Sequence, residues 1–405
     1  MKKICFSCIV LLLLLGSASQ TLADGDFTFN PTLQFRGEYD DNLNFDNDNE
    51  KSDWLGVFIP SLKAAWQTPR LDIKGSAEAE IRRFCSESQF DDEYQRYKIE
   101  SSYQLFERLT LEAGGSYIKD STLDSELEET GIVEDLYGRD HYTLDAGARY
   151  QLGERIFSSL NYSYGDTSYD SPDDIDYDSH SVVGSISCLF RNQRDQVFLQ
   201  PSYYRYESDI SKVDNYSLSL GWNRSLSEKL TLSCYLGLRY TDTEYNYHYY
   251  VPVFDPSDGT INWQKRKETI SEGDVGGTAD ISLSGKTETL NYKLSYNRDL
   301  SYTSTGSPID RDRFTGSIKW TMSQRLKSGF DAGLYFSKAN DDYNDEDSTY
   351  FYLHPYISYR LMENHHLQLH YRYARTKDKT LAENDSYDRN RVWLALVFNF
   401  PKLLD

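Results

Sequence analysis

The sequence predicts an all-β fold: a single transmembrane antiparallel β-barrel of about 18 strands, with short periplasmic turns and long acidic extracellular loops. Three observations predict it. Apolar and polar residues alternate with a period of two along segments of about 10–14 residues. The connections between segments are short and long in turn. Aromatic residues, 15% of the chain with 34 tyrosines among them, gather at segment ends although the mean hydropathy is only −0.67. So polar a chain resembles an acidic soluble protein. In a membrane barrel only every second residue faces lipid, so the average conceals the apolar face.

The first element lies outside the barrel. Lys2 and Lys3 precede an apolar run from Ile4 to Leu15, and a small-residue tail ends at Thr21-Leu22-Ala23. This reads as a secretory signal peptide over residues 1–23, cleaved before Asp24, which leaves 24–405 for the barrel. A run of about 12 apolar residues is too short to span a bilayer core of ~30 Å. Its loss takes the formal charge from −21 to −23. Cys85, Cys188 and Cys234 remain, too few for a disulfide framework. Cys188 and Cys234 fall on apolar strand faces as small hydrophobes.

The strands begin near Phe27, Trp54, Leu71, Tyr94, Leu109 and His141, then Ile156, His180, Val197, Tyr216, Leu230 and Glu272. The last six begin near Leu290, Phe314, Leu326, Tyr350, Leu367 and Asn390. Leu71 to Arg82 is the clearest: Leu71, Ile73, Gly75, Ala77, Ala79 and Ile81 share one face, opposite Asp72, Lys74, Ser76, Glu78, Glu80 and Arg82. Short turns such as Thr68-Pro69-Arg70, Glu107-Arg108 and Ser227-Glu228-Lys229 alternate with longer stretches. Those are Asp41 to Asp53, Asp120 to Asp140, Asp166 to Asp178, Tyr245 to Lys267, Ala339 to Ser348 and Lys377 to Tyr387. All long loops then lie at one end, as in an outer-membrane barrel, and an even strand count puts both termini at the other. The glycine-rich Gly273 to Gly277 leaves a barrel of about 16 strands as the alternative. Pro31, Pro60, Pro201 and Pro355 sit inside strands, where a missing donor calls for local bulges. The final strand places Val392, Leu394, Leu396, Phe398 and Phe400 on one face, resembling the signal read by the barrel assembly machinery.

An apolar exterior makes the polar face the lumen. Its candidate lining residues are Arg36, Lys74, Glu78, Arg82, Arg149, Arg239, Tyr335, Arg360, Arg372 and Arg391. Acids concentrate in the first six strands and bases in the last eight, which would give the lumen a transverse field. The candidate constriction loop is Tyr245 to Lys267, carrying Trp263, Lys265, Arg266 and Lys267. The remaining acid lies in the loops. Asp173-Asp174 and Asp341-Asp342 head clusters dense enough to attract divalent cations, but without the spaced ligands and glycine of a calcium hand they read as solvated acidic loops.

Several classes are excluded. A chain this acidic repels nucleic-acid phosphates. No HExxH, G-x-S-x-G or phosphate loop occurs, so no catalytic, cofactor or metal site is expected.

Phe29-Asn30-Pro31-Thr32-Leu33, Gly37-Glu38-Tyr39-Asp40-Asp41-Asn42-Leu43 and Phe58-Ile59-Pro60-Ser61-Leu62 resemble the β-barrel porin 2 type of outer-membrane protein. The resemblance covers about the first 80 residues in sequence, and architecture alone beyond them. It implies a Gram-negative outer-membrane barrel accompanying exopolysaccharide synthesis and export, with polysaccharide export components and the secreted polysaccharide as partners. The expectation is therefore a non-enzymatic channel serving polysaccharide export. The alternatives are a general diffusion porin for small solutes and a closed surface-binding barrel acting through its acidic loops.

Overall fold

The computed structural model describes residues 25–400 apart from 48, 133–135, 172–174, 256–259, 303–307, 340–346 and 380–383. The expected signal peptide, the tail after Phe400 and most of the two acidic clusters lie outside the described residues.

The alternating segments form 18 strands. The first six are β1 (Asp26–Asp40), β2 (Asp53–Gln67), β3 (Leu71–Phe84), β4 (Asp92–Phe106), β5 (Leu109–Ser121) and β6 (Gly138–Gln151). Next come β7 (Ile156–Tyr169), β8 (Tyr177–Leu189), β9 (Asp195–Ser208), β10 (Ser211–Ser227), β11 (Leu230–Asp255) and β12 (Thr260–Lys286). The last six are β13 (Leu290–Tyr302), β14 (Pro308–Thr321), β15 (Leu326–Ala339), β16 (Asp347–Met362), β17 (His365–Lys379) and β18 (Asn384–Asn399). Each strand pairs antiparallel with the next, and β1 pairs with β18 from Thr32↔Asn399 to Asp40↔Arg391. The sheet therefore closes, and no edge is left along that seam. Among the described residues one α-helix, α1 (Thr122–Glu129), follows β5.

Register carries one face around the whole barrel. Phe35 lies opposite Phe58 and Leu396, and Leu218 opposite Leu238, so apolar residues meet apolar residues on the outside. Leu144, Leu160, Leu220, Leu238 and Leu294 stay more than half exposed there. Two aromatic rows border this belt. Tyr97, Tyr117 and Tyr142 follow one another across β4–β6, and Tyr203, Tyr216 and Tyr240 across β9–β11. Nearer the short turns stand Trp66, Tyr103, Tyr150, Trp320 and Tyr359. The rows are roughly 15–20 Å apart along the axis at ~3.3 Å per residue and a tilt of about 40°.

Three local expectations need correction. The prolines do not form bulges: the ladders skip two pairs beside Pro60, Pro201 and Pro355 and resume in the same register. Losing one donor interrupts one ladder locally, while the partner strand on the other side holds alignment. Gly273 to Gly277 lies within β12 and does not alter the strand count. The inner face is also not uniformly polar. Leu55, Val57 and Ile59 of β2 point inward and are buried, with Phe84 packed against them.

The β12–β13 ladder differs from the others. It runs only from Lys286↔Asn291 to Ala279↔Arg298, whereas β11 and β12 stay paired to Asp255↔Thr260. Above Arg298 the end of β13 leaves the wall and leans inward, and Tyr302 stacks on Tyr206 of β9 at 4.4 Å and 7°.

Candidate functional site: the barrel lumen

Two chain segments enter the lumen at its long-loop end. The first is α1. Leu123 and Leu127, four residues apart, share one helical face. They pack on Tyr335 of β15, Tyr350 of β16, Ala374 of β17 and Phe45. A segment leaving β5 reaches those strands only by crossing the interior. Its end is fixed by Gly131, at φ +82, where a Cβ would stand 3.0 Å from that of Tyr350. The hydroxyls of Ser337 and Ser348 donate to the carbonyls of Thr130 and Gly131 at 2.5 and 3.3 Å.

Charge holds the other side of α1. The Asp124 carboxylate accepts from Arg82 Nη1 at 2.6 Å and lies 3.5 Å from Arg391 Nη1. Glu80 bridges Arg82 and Arg36 at 2.8 and 2.7 Å, and Glu38 lies 2.9 Å from Arg36 Nε. Arg389 grips Asp40 with Nε at 3.0 Å and Nη2 at 2.5 Å. These side chains are nearly all buried, so their charges survive through mutual pairing. Burial alone would raise the Asp124 carboxyl, but Arg82, Arg391 and Arg389 outweigh it and hold the group well below the usual carboxylate range. Aromatic faces support the cations: Arg82 lies 4.2 Å over Tyr94, and Arg372 4.9 Å over Tyr352.

The second segment is the inward end of β13 and β14. Besides the Tyr302–Tyr206 stack, Asp310 pairs with Arg239 of β11, and Arg311 and Asp299 form a two-bond ion pair at 3.0 and 2.8 Å. Ile309, Tyr206 and Val213 are fully buried. Below them, facing the C-terminal turn of α1, lies a cavity of about 320 Å³.

The ten candidate lining residues all fall on the inward register. Arg36, Arg82, Arg372, Arg391 and Tyr335 gather around α1, while Arg239 borders the cavity. Glu78 pairs with Arg96 at 3.2 Å beside the same cluster. Lys74, Arg149 and Arg360 stand apart, nearer the short turns; Lys74 pairs with Asp72 and Arg149 with Glu112. The expected constriction loop is placed elsewhere. Apart from 256–259, outside the described residues, Tyr245 to Lys267 continues β11 and β12 as a two-stranded ribbon beyond the last rung to β10, Ser211↔Tyr245. Trp263 there is 65% exposed, and Lys265, Arg266 and Lys267 are exposed too. Tyr, Val and Ile keep these residues extended. The inward elements are α1 and the β13–β14 end instead, and the sequence signal of α1 is the Leu123/Leu127 spacing in an acidic loop, with Ser121 ahead of it.

Inward charge is also unevenly spread. From β1 to β6 both signs interleave, and from β13 to β18 bases prevail, among them Lys293, Arg313, Lys319 and Lys327. From β7 to β11 the described inward positions of the wall are Ser, Thr, Asn, Gln, Tyr, Phe, Val, Leu and Gly, apart from Arg239. The lumen thus has a neutral arc that the acid-then-base expectation did not contain. Among the described residues no cluster of three or more His, Cys, Asp or Glu side chains is set to hold a metal.

No family model matches the chain, and no curated protein matches it. Solved barrels do. A BenF-like porin from Pseudomonas fluorescens Pf-5 is 10% identical, with 93% of this chain and 99% of that one covered at a TM-score of 0.46. Pseudomonas aeruginosa OpdQ is 10% identical over 93% and 98%, also at 0.46. The ferric-catecholate import receptor Fiu from E. coli K12 is 9% identical over 93% and 82%, again at 0.46. These are likenesses of barrel to barrel.

Proposed function

We propose that this chain is an outer-membrane channel for small polar solutes. The observation that carries the reading is a closed 18-strand barrel, apolar outside between two aromatic rows, whose polar lumen is narrowed by α1 held to the facing wall. In a bilayer every backbone polar group must be satisfied internally, and a closed barrel meets that requirement without helices. The outer belt fits a lipid core, and 18 strands enclose an aqueous lumen. On this reading residues 1–23 direct export and are removed, and the barrel assembly machinery receives β18. No catalytic step is involved.

A conduit for a secreted polysaccharide, the role implied by the sequence resemblance, fits the lumen less well. α1 and the β13–β14 end both occupy the long-loop half. The cavity between them, about 320 Å³, is at the small end of the ~300–1,000 Å³ typical of small-molecule sites. The test is single-channel conductance in planar bilayers, with liposome swelling for solutes of graded size. The channel reading expects steady ionic steps and swelling that fails above the size of a few sugar rings. A protein that inserts and conducts nothing would overturn it. Free passage of long polysaccharide would restore the export role.

A further inference from the structure

We infer that the cavity between the C-terminal turn of α1 and the β13–β14 end is a binding site for an uncharged polyhydroxylated ring, a sugar of one or two rings. The inference deepens the channel reading and rests on it, because it names the solute that the lumen selects.

Electrostatics comes first. Two guanidiniums border the cavity, Arg139 and Arg239, and each is already matched by carboxylates. Arg139 lies 3.2 Å from both Asp120 and Glu129. Arg239 pairs with Asp310 and lies 3.7 Å from Asp274. An anionic solute would meet cations whose charge is spent, with acids behind them. A cationic solute would meet Glu129 and Asp299, which also line the cavity but are already paired with Arg139 and Arg311. Either would lose its hydration for little return. An uncharged solute loses no charge hydration.

The rest of the lining suits hydroxyl-bearing rings. Ser202 and Ser217 share a hydrogen bond of 2.6 Å at the wall, and their hydroxyls can each donate and accept. Tyr204, stacked on Tyr302 at 5.6 Å and 23°, lines the cavity as an aromatic surface for the C–H side of a sugar. The Tyr302 side chain borders the cavity, with its hydroxyl shut off from solvent. Purely apolar solutes would leave the serines unmatched.

The experiment uses the full mature chain in detergent and in planar bilayers. Glucose and maltose are titrated by calorimetry and as blockers of the ionic current, with gluconate and glucosamine as charged probes of similar size. The expected result is saturable binding and block by the neutral sugars, at least tenfold tighter than by either charged probe. The double variant Ser202→Ala, Ser217→Ala removes both wall hydroxyls and should weaken sugar binding about five- to tenfold. Tyr204→Ala should weaken it at least as much. Equal or tighter binding of gluconate would overturn the inference, as would unchanged sugar affinity in the Ser202→Ala, Ser217→Ala variant. A protein that conducts ions but binds no sugar sinks this site and leaves the channel standing. A protein that binds sugar without conducting keeps the site and sinks the channel.

Discussion

The two inward segments are held in opposite ways. α1 is fixed by charge: Asp124 sits between Arg82 and Arg391 on β3 and β18, with Glu80, Arg36 and Glu38 completing the network. The β13–β14 end rests on the neutral arc through tyrosine stacking, with one ion pair to Arg239. The difference follows from the walls. β1–β6 and β13–β18 supply charges of both signs, so a carboxylate on a crossing helix finds cations; β7–β11 supply rings and hydroxyls. A buried charge network breaks sharply when one member is removed, whereas a stacked pair yields in smaller steps. The α1 side therefore behaves as a fixed partition and the β13–β14 side as the adjustable one.

The largest effect is expected from Asp124→Ala, which leaves Arg82 and Arg391 facing each other. Removing one partner of a buried pair costs about 3–5 kcal/mol. α1 should leave the wall, with conductance rising severalfold and a Glu-specific protease cutting the segment. Unchanged conductance with no new cleavage would mean that Leu123 and Leu127 hold α1 without the charges. A smaller effect is expected at the other segment. Tyr206→Leu removes the stack under Tyr302, worth about 0.5–1.5 kcal/mol, and should increase current fluctuations without raising the mean conductance much. If it raised conductance as far as Asp124→Ala does, the contrast between the two sides would fail.

Acid separates them further. The folded Asp124 carboxyl is held below its unfolded value. Its contribution is therefore present above the unfolded pKa of ~3.9 and is lost only as pH falls through the lower folded value. Lowering pH from 7 to about 4 should leave α1 latched; a steep conductance rise between pH 5 and 4 would contradict the network. The smallest effect is expected from shortening the β11–β12 ribbon by removing residues 247–266, since its described strands there continue past the last rung to β10. Conductance should stay within experimental scatter, and a clear increase would return the ribbon to the pore.

The wall of this barrel was legible in the sequence because period-two alternation survives averaging over each strand. Leu71 to Arg82 lies in the register that its pattern predicts. The inward register of Arg36, Arg82, Arg239 and Arg391 followed from the same parity. What alternation cannot express is a segment that leaves the sheet. α1 hides in an acidic loop with two leucines as its signal, and the inward lean of β13 shows only where the β12–β13 ladder stops. Leu55, Val57 and Ile59 adjoin Trp54 and Phe58 in an apolar stretch that period-two sorting into one polar and one apolar face passes over. Apolar residues on both faces mark a strand covered on both sides.

The seam between β1 and β18 has one more consequence. Asp40 meets Arg389, and Asp41 accepts from the side chain and backbone of Asn390, although 349 positions separate the members of each pair. Contacts that remote form only after all intervening chain has been ordered, and closing so long a loop is entropically unfavourable until its ends are secured. The Tyr39-Asp40-Asp41-Asn42 stretch thus acts in biogenesis as a completion lock. It engages nothing in a partly assembled sheet, then fastens the first strand to the last once the cylinder has come round.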